Sequence, residues 1–114
     1  MDTQPLTDGG SGPLAKAYTA NGTVLHFGEI ECDRVKVVLR RTLLGSPCWQ
    51  LDYVLGRALG RVVAHEMYHI LGNEMGHTQD GVTRKSLTAR DLAGDATFFP
   101  SEASQRISQQ YNPD

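Results

Sequence analysis

One long apolar stripe that ends in histidines constrains this chain more than any other feature. Leu51, Leu55, Ala58, Val62, His65 and His69 recur at spacings of three and four, the period of one face of an α-helix. Val54, Leu59 and Val63 widen the apolar side. Ser46 as N-cap with Pro47 at the first helical position marks a start. Gly72 follows the last periodic residues and is expected as a left-handed C-terminal cap. Gly56 and Gly60 cost about 1 kcal/mol each against alanine. Four residues apart, they are expected to let another element approach closely.

Around this helix the pattern is mixed, so the expected fold class is α+β. Residues 1 to 13 are rich in Asp, Thr, Gly, Ser and Pro without an apolar period and read as a flexible arm. Residues 14 to 114 read as a single domain. "LAKAYTANGTVLHFGEIEC" is strand-like, with Asn21-Gly22 as a hairpin turn between two β-compatible runs. Gly28 is expected as a bulge or bend before a short strand, Glu29 to Cys32. Asp33 can cap a helix through about Arg41, with Val35, Val38 and Leu39 inward. After the long helix, "NEMGHTQDGVTRKS" reads as a loop. Thr88 with Asp91 three residues on starts a short helix, and Ser101 caps a last one with Ala103, Ile107 and Tyr111 inward.

Composition excludes several classes. The 114 residues carry a formal charge of -2 with acids and bases interspersed, which offers no electrostatic case for nucleic acid or an anionic membrane surface. No apolar run approaches the roughly 20 residues that span a bilayer. The first residues lack the layout of a signal peptide. The two cysteines, Cys32 and Cys48, suit a disulfide in a secreted or periplasmic protein, and equally two free thiols.

The chemistry concentrates in "AHEMYHILGNEMGHT", which holds three of the four histidines. His65 and His69, four apart, lie about 40° apart on a helix of 3.6 residues per turn, so both imidazoles can reach one ion. Glu66 stands roughly 100° round from His65, able to reach a water at that ion. Because the histidines continue the buried face, they would point into the protein, where unpartnered polar groups are costly and a metal would satisfy them. The bland alternative is a pair of core histidines bonded to backbone. His26 reads as a surface or packing histidine, and Tyr68 and Tyr53 as packed aromatics with a lesser prospect of stabilising an oxyanion.

"HEMYHILG" resembles the opening of the metzincin signature among zincin metallopeptidases. The resemblance covers roughly residues 50 to 80. It implies a small zincin-like domain, with a short antiparallel sheet packed on the long helix and short helices at the C-terminal end. It also implies one Zn2+ per chain held by His65 and His69, Glu66 as general base, and Gly72 as the turn towards a third ligand. The family's third-ligand position is Met75 here, and its downstream methionine turn is missing. His77, two residues on, can fold back to the ion, since five residues span up to about 16 Å. A glutamate or aspartate (Glu74, Glu102, Asp91, Asp95), as in other zincins, or Cys32, as in peptide deformylases, remain alternatives. Cys48 lies some four turns before His65, too far along the axis.

The implied function is hydrolysis of peptide bonds in a peptide or protein substrate by a zinc-activated water. Its rivals are a non-peptidase metal hydrolase, of the kind that matures ribosomal RNA with three histidines, and a catalytically inactive metal-binding interaction domain.

Overall fold

The computed structural model describes residues 5–8, 12–42, 48–94 and 97–111, with Thr42, Cys48 and Trp49 described by backbone alone. The expected N-cap pair Ser46-Pro47 and the candidate ligand Asp95 lie outside them. The architecture is α+β: a three-stranded antiparallel sheet packed on a long helix that three shorter helices surround. The elements are β1 (Leu6–Thr7), β2 (Pro13–Ala20), β3 (Thr23–Ile30), α1 (Cys32–Thr42), α2 (Cys48–Gly72), α3 (Ala89–Ala93) and α4 (Ser101–Tyr111).

The hairpin forms where expected. Asn21 and Gly22 both take positive φ, at 53° and 78°, the mirror-image turn whose twist matches paired strands. Gly28 pairs with Ala17 while Thr19 pairs with Val24, so Leu25 to Phe27 oppose Tyr18 alone. The bulge therefore precedes Gly28, and β3 continues through it to Ile30 instead of restarting at Glu29. A Cβ on Gly28 would lie 2.5 Å from the Lys16 carbonyl oxygen, so only glycine fits this crossing.

Part of the expected arm is structural. Leu6 is fully buried in the core, and β1 pairs with β2 through Leu6–Ala15 and Thr7–Pro13. The free edge of β1 is covered: Thr7 bridges Ser86 in parallel, and Leu87 N–H donates to the Thr7 carbonyl at 2.9 Å. A two-residue strand has no period to read. Its place is set by one leucine that removes its surface from water, worth about 1.5–3 kcal/mol.

The core joins Leu6 and Leu14 of the sheet, Val35, Val38 and Leu39 of α1, Val54, Ala58 and Val62 of α2, and Val82, Leu87 and Leu92 beyond. Leu51, Leu55 and Leu59 are half-buried, but Val63 is exposed, because the buried sector of α2 is narrower than its apolar sector. Gly56 and Gly60 face open space with nothing within 4 Å of an added Cβ. No neighbouring element among the described residues approaches them. Arg57 and Arg61 of α2 instead reach the last carbonyls of α3, with Arg61 Nη1 donating to Asp91 and Leu92 at 2.8 and 2.9 Å. α3 starts with the expected capping box of Thr88 and Asp91. On α4, Ala103 is buried and Ile107 half-buried, whereas Tyr111 is exposed.

α2 ends one residue differently from expectation. Asn73, not Gly72, takes the left-handed conformation, with φ 47°. Glu74 N–H donates to the His69 carbonyl at 3.1 Å, the long-range bond of a Schellman cap. Asparagine tolerates this region, and its Oδ1 accepts from Val24 N–H of β3 at 2.8 Å, tying helix end to hairpin.

Candidate metal centre

His65 and His69 come from the last two turns of α2, and both are buried, at 0% and 1% exposure. His77, half-buried, returns to them from the loop after the Schellman turn. The ring centroids form a near-equilateral triangle, 4.9 Å for His65–His69, 5.1 Å for His65–His77 and 4.9 Å for His69–His77. One ligand nitrogen of each lies within 4.8 Å of the other two. The three histidines are close enough to hold a metal ion. Among the described residues, no other group of histidine, cysteine and acidic side chains comes together in this way.

Hydrogen bonds fix how two of the rings present themselves. His65 Nδ1 lies 2.9 Å from the Val82 carbonyl oxygen, and His69 Nδ1 lies 2.6 Å from that of Glu74. A carbonyl oxygen only accepts, so each Nδ1 carries the hydrogen and each Nε2 of the neutral ring is bare. Those two Nε2 atoms are 3.2 Å apart. Their lone pairs face each other with no proton to share, an arrangement that a cation between them relieves. Zinc–nitrogen bonds of about 2.0–2.1 Å in a tetrahedron put neighbouring nitrogens about 3.3 Å apart, so the spacing suits such an ion. His77 Nε2 is also buried without a partner among the described residues.

Burial sets the proton affinities. It holds His65 down to about 3 from an ordinary 6.5, with His69 and His77 adding to the effect. It holds His77 down to about 4, helped by His69 and Lys85, and lowers His69 too. All three rings are thus neutral at pH 7, the form that binds metal.

Glu66 lies beside them. Its Oε1 is 4.0 Å from His65 Nε2, and both its oxygens are buried without a hydrogen-bond partner among the described residues. Burial raises its carboxyl to about 7 from 4.5. An unpartnered buried carboxyl is costly, and its position against the bare nitrogens suits a polar species placed between them.

Three alternative third ligands lie apart from this cluster. Asp91 is held in its capping box and pairs with Arg84 at 2.6 Å. Glu102 is exposed on α4. Cys32 is a free, exposed thiol at the start of α1. Glu74 adjoins the centre, but its Oε2 accepts from Gly76 N–H at 3.1 Å. Of the two tyrosines, Tyr68 is buried with its ring 5.5 Å from that of His69, whereas Tyr53 is exposed under Arg57. The Val82 and Glu74 carbonyls carry no signal in sequence, since every residue offers that group.

Comparison with protein-family models, with curated proteins and with solved structures finds no match for this chain. The functional reading therefore stands on the chemistry of the histidine cluster and its neighbours.

Proposed function

We propose that the chain is a zinc-dependent metallopeptidase of zincin type, with His65, His69 and His77 as metal ligands and Glu66 as general base. One observation carries the reading: three imidazoles with buried, bare nitrogens converge beside a carboxylate that has no hydrogen-bond partner among the described residues. Three imidazole donors suit zinc, as they do copper, iron and nickel, and leave one position open on a tetrahedral ion.

Zinc held there would supply a Lewis acid that makes water more acidic and polarises a peptide carbonyl. Glu66 takes the proton of the attacking water at a carboxylate oxygen as the carbon–oxygen bond forms. The same oxygen then gives that proton to the leaving nitrogen as the carbon–nitrogen bond breaks, yielding a carboxylate and an amine. Burial of Glu66 in the metal-free protein favours a carboxyl that holds a proton, which suits the half of the transfer in which it gives one up. His65 and His69 keep their donor atoms aimed through the Val82 and Glu74 carbonyls.

The burial of His65, His69 and Glu66 favours a second reading, a closed metal site without turnover. Zinc content and cleavage of an unstructured polypeptide, measured on wild type and Glu66→Gln, separate the two. The peptidase reading expects about one zinc in each protein and chelator-sensitive cleavage. It expects a loss of about 10²–10⁴-fold in Glu66→Gln. Zinc-loaded wild type that cleaves nothing would leave the closed site, and a chain that takes up no zinc would end both.

A further inference from the structure

We propose that Arg106 of α4 is a positioning residue of the metal centre, fixing His69 and launching His77 through the turn at the end of α2. The proposal rests on metal binding by the three histidines and not on peptidase activity.

Helix ends leave carbonyls without partners, and here a distant side chain supplies them. Arg106 Nε donates to the Gly72 carbonyl at 2.6 Å, and Nη2 donates to the Asn73 carbonyl at 2.9 Å. The same guanidinium lies 3.9 Å from Glu74 Oε1. One planar fork therefore holds three successive residues, 72 to 74.

Glu74 passes that constraint to both sides of the centre. Its carbonyl oxygen accepts from His69 Nδ1 at 2.6 Å, and its N–H donates to the His69 carbonyl. Its Oε2 accepts from Gly76 N–H, the residue before His77. The ring of one ligand and the departure of another thus share a single hub, and Arg106 pins the hub from outside.

Gly72 acquires a role different from the turn expected of it. A Cβ there would sit 3.0 Å from Arg106 Cγ, so the missing side chain seats the arginine's aliphatic stem against the helix end. Lysine could keep the charge but not the fork, since an ammonium lacks the planar pair of donors that spans two carbonyls.

The test compares wild type, Arg106→Ala, Arg106→Lys and Ala103→Gly. The last loosens the buried contact of α4 without touching the turn. Zinc affinity is read by competition with a chelator, and ligand geometry by the visible spectrum of the cobalt-substituted protein. We expect Arg106→Ala to bind zinc about 10-fold more weakly, the low end of the cost of losing a direct partner of a ligand because the arginine acts one step further out, with an altered cobalt spectrum. Arg106→Lys should fall between it and wild type. Ala103→Gly should keep wild-type affinity and spectrum despite a lower melting temperature. Wild-type binding and spectrum in Arg106→Ala would overturn the proposal, as would equal weakening in Ala103→Gly. If Arg106→Ala does not fold, wild-type affinity in Arg106→Lys overturns it. A wild type that binds neither metal removes the metal reading itself, a distinct result.

Discussion

The two ends of α2 bury the same stripe for different reasons. Val54, Ala58 and Val62 join the core shared with the sheet, α1 and α3 with nothing but carbon, and their burial is complete once they touch neighbours. His65 and His69 continue that line at equal burial, yet each brings a bare nitrogen into a dry place. Contact satisfies the first half of the helix. Only a further partner satisfies the second, which is why identical spacing yields a core at one end and a candidate centre at the other.

The largest test of this contrast is metal-dependent stability. Zinc at about 1,000 times its dissociation constant should stabilise wild type by about 4 kcal/mol, read as a rise in melting temperature. His69→Ala should lose that increment, while a truncation at Val62 should keep it on a lower baseline. An equal zinc response in His69→Ala would erase the distinction between the halves.

Acid titration of the metal-free protein probes the same end without any ion. Lowered folded-state values for His65, His77 and His69 mean stability present above about pH 6.5 and lost as pH falls towards about 4 and about 3. Glu66 works the other way: its raised value adds stability below about 4.5 that is lost as pH rises through about 7. With three rings gaining stability as pH rises and one carboxyl losing it, the metal-free protein gains stability from acid up to about pH 7 and levels off above it. Denaturant unfolding across pH should show a steeper rise between about pH 4.5 and 7 in Glu66→Gln, where the opposing contribution of the carboxyl is gone. A flat profile from pH 4 to 7 would mean the rings are hydrated and the second half is not dry.

The smallest effect belongs to the first half. Gly56 and Gly60 sit in the helix interior with open space where a Cβ would go. Each change to alanine should raise stability by about 0.5–1 kcal/mol with zinc affinity unchanged. Destabilisation would reveal a neighbour on that face.

Much of this was legible in the sequence because it rests on periodic or local chemistry. The three-and-four spacing located α2 and put two histidines inward, Asn21-Gly22 located the hairpin, and Thr88 with Asp91 located the start of α3. His77 was legible as a chemical type in reach, and its position completes the triangle. What escaped depends on unpatterned, long-range contact. Leu6 joins the sheet through one side chain. Asn73 outcompetes Gly72 for the left-handed position because its amide also reaches Val24. Arg106 acts across 34 residues, and no spacing rule spans that distance.

The three rings and the carbonyls that hold two of them come from a short run of chain. His65 and the carbonyl it leans on are 17 residues apart, and the His69 and His77 contacts fall between them. Closing so short a loop costs little entropy, and local contacts of this kind form early. β1 is the opposite case, since Thr7 waits for the Leu87 amide some eighty positions later. On a ribosome, then, the three histidines and the carbonyls of Glu74 and Val82 emerge before Leu87, the partner of the first strand, and before Arg106. In the order of synthesis, the candidate ligands come before both the strand edge that closes the sheet and the arginine that pins their turn.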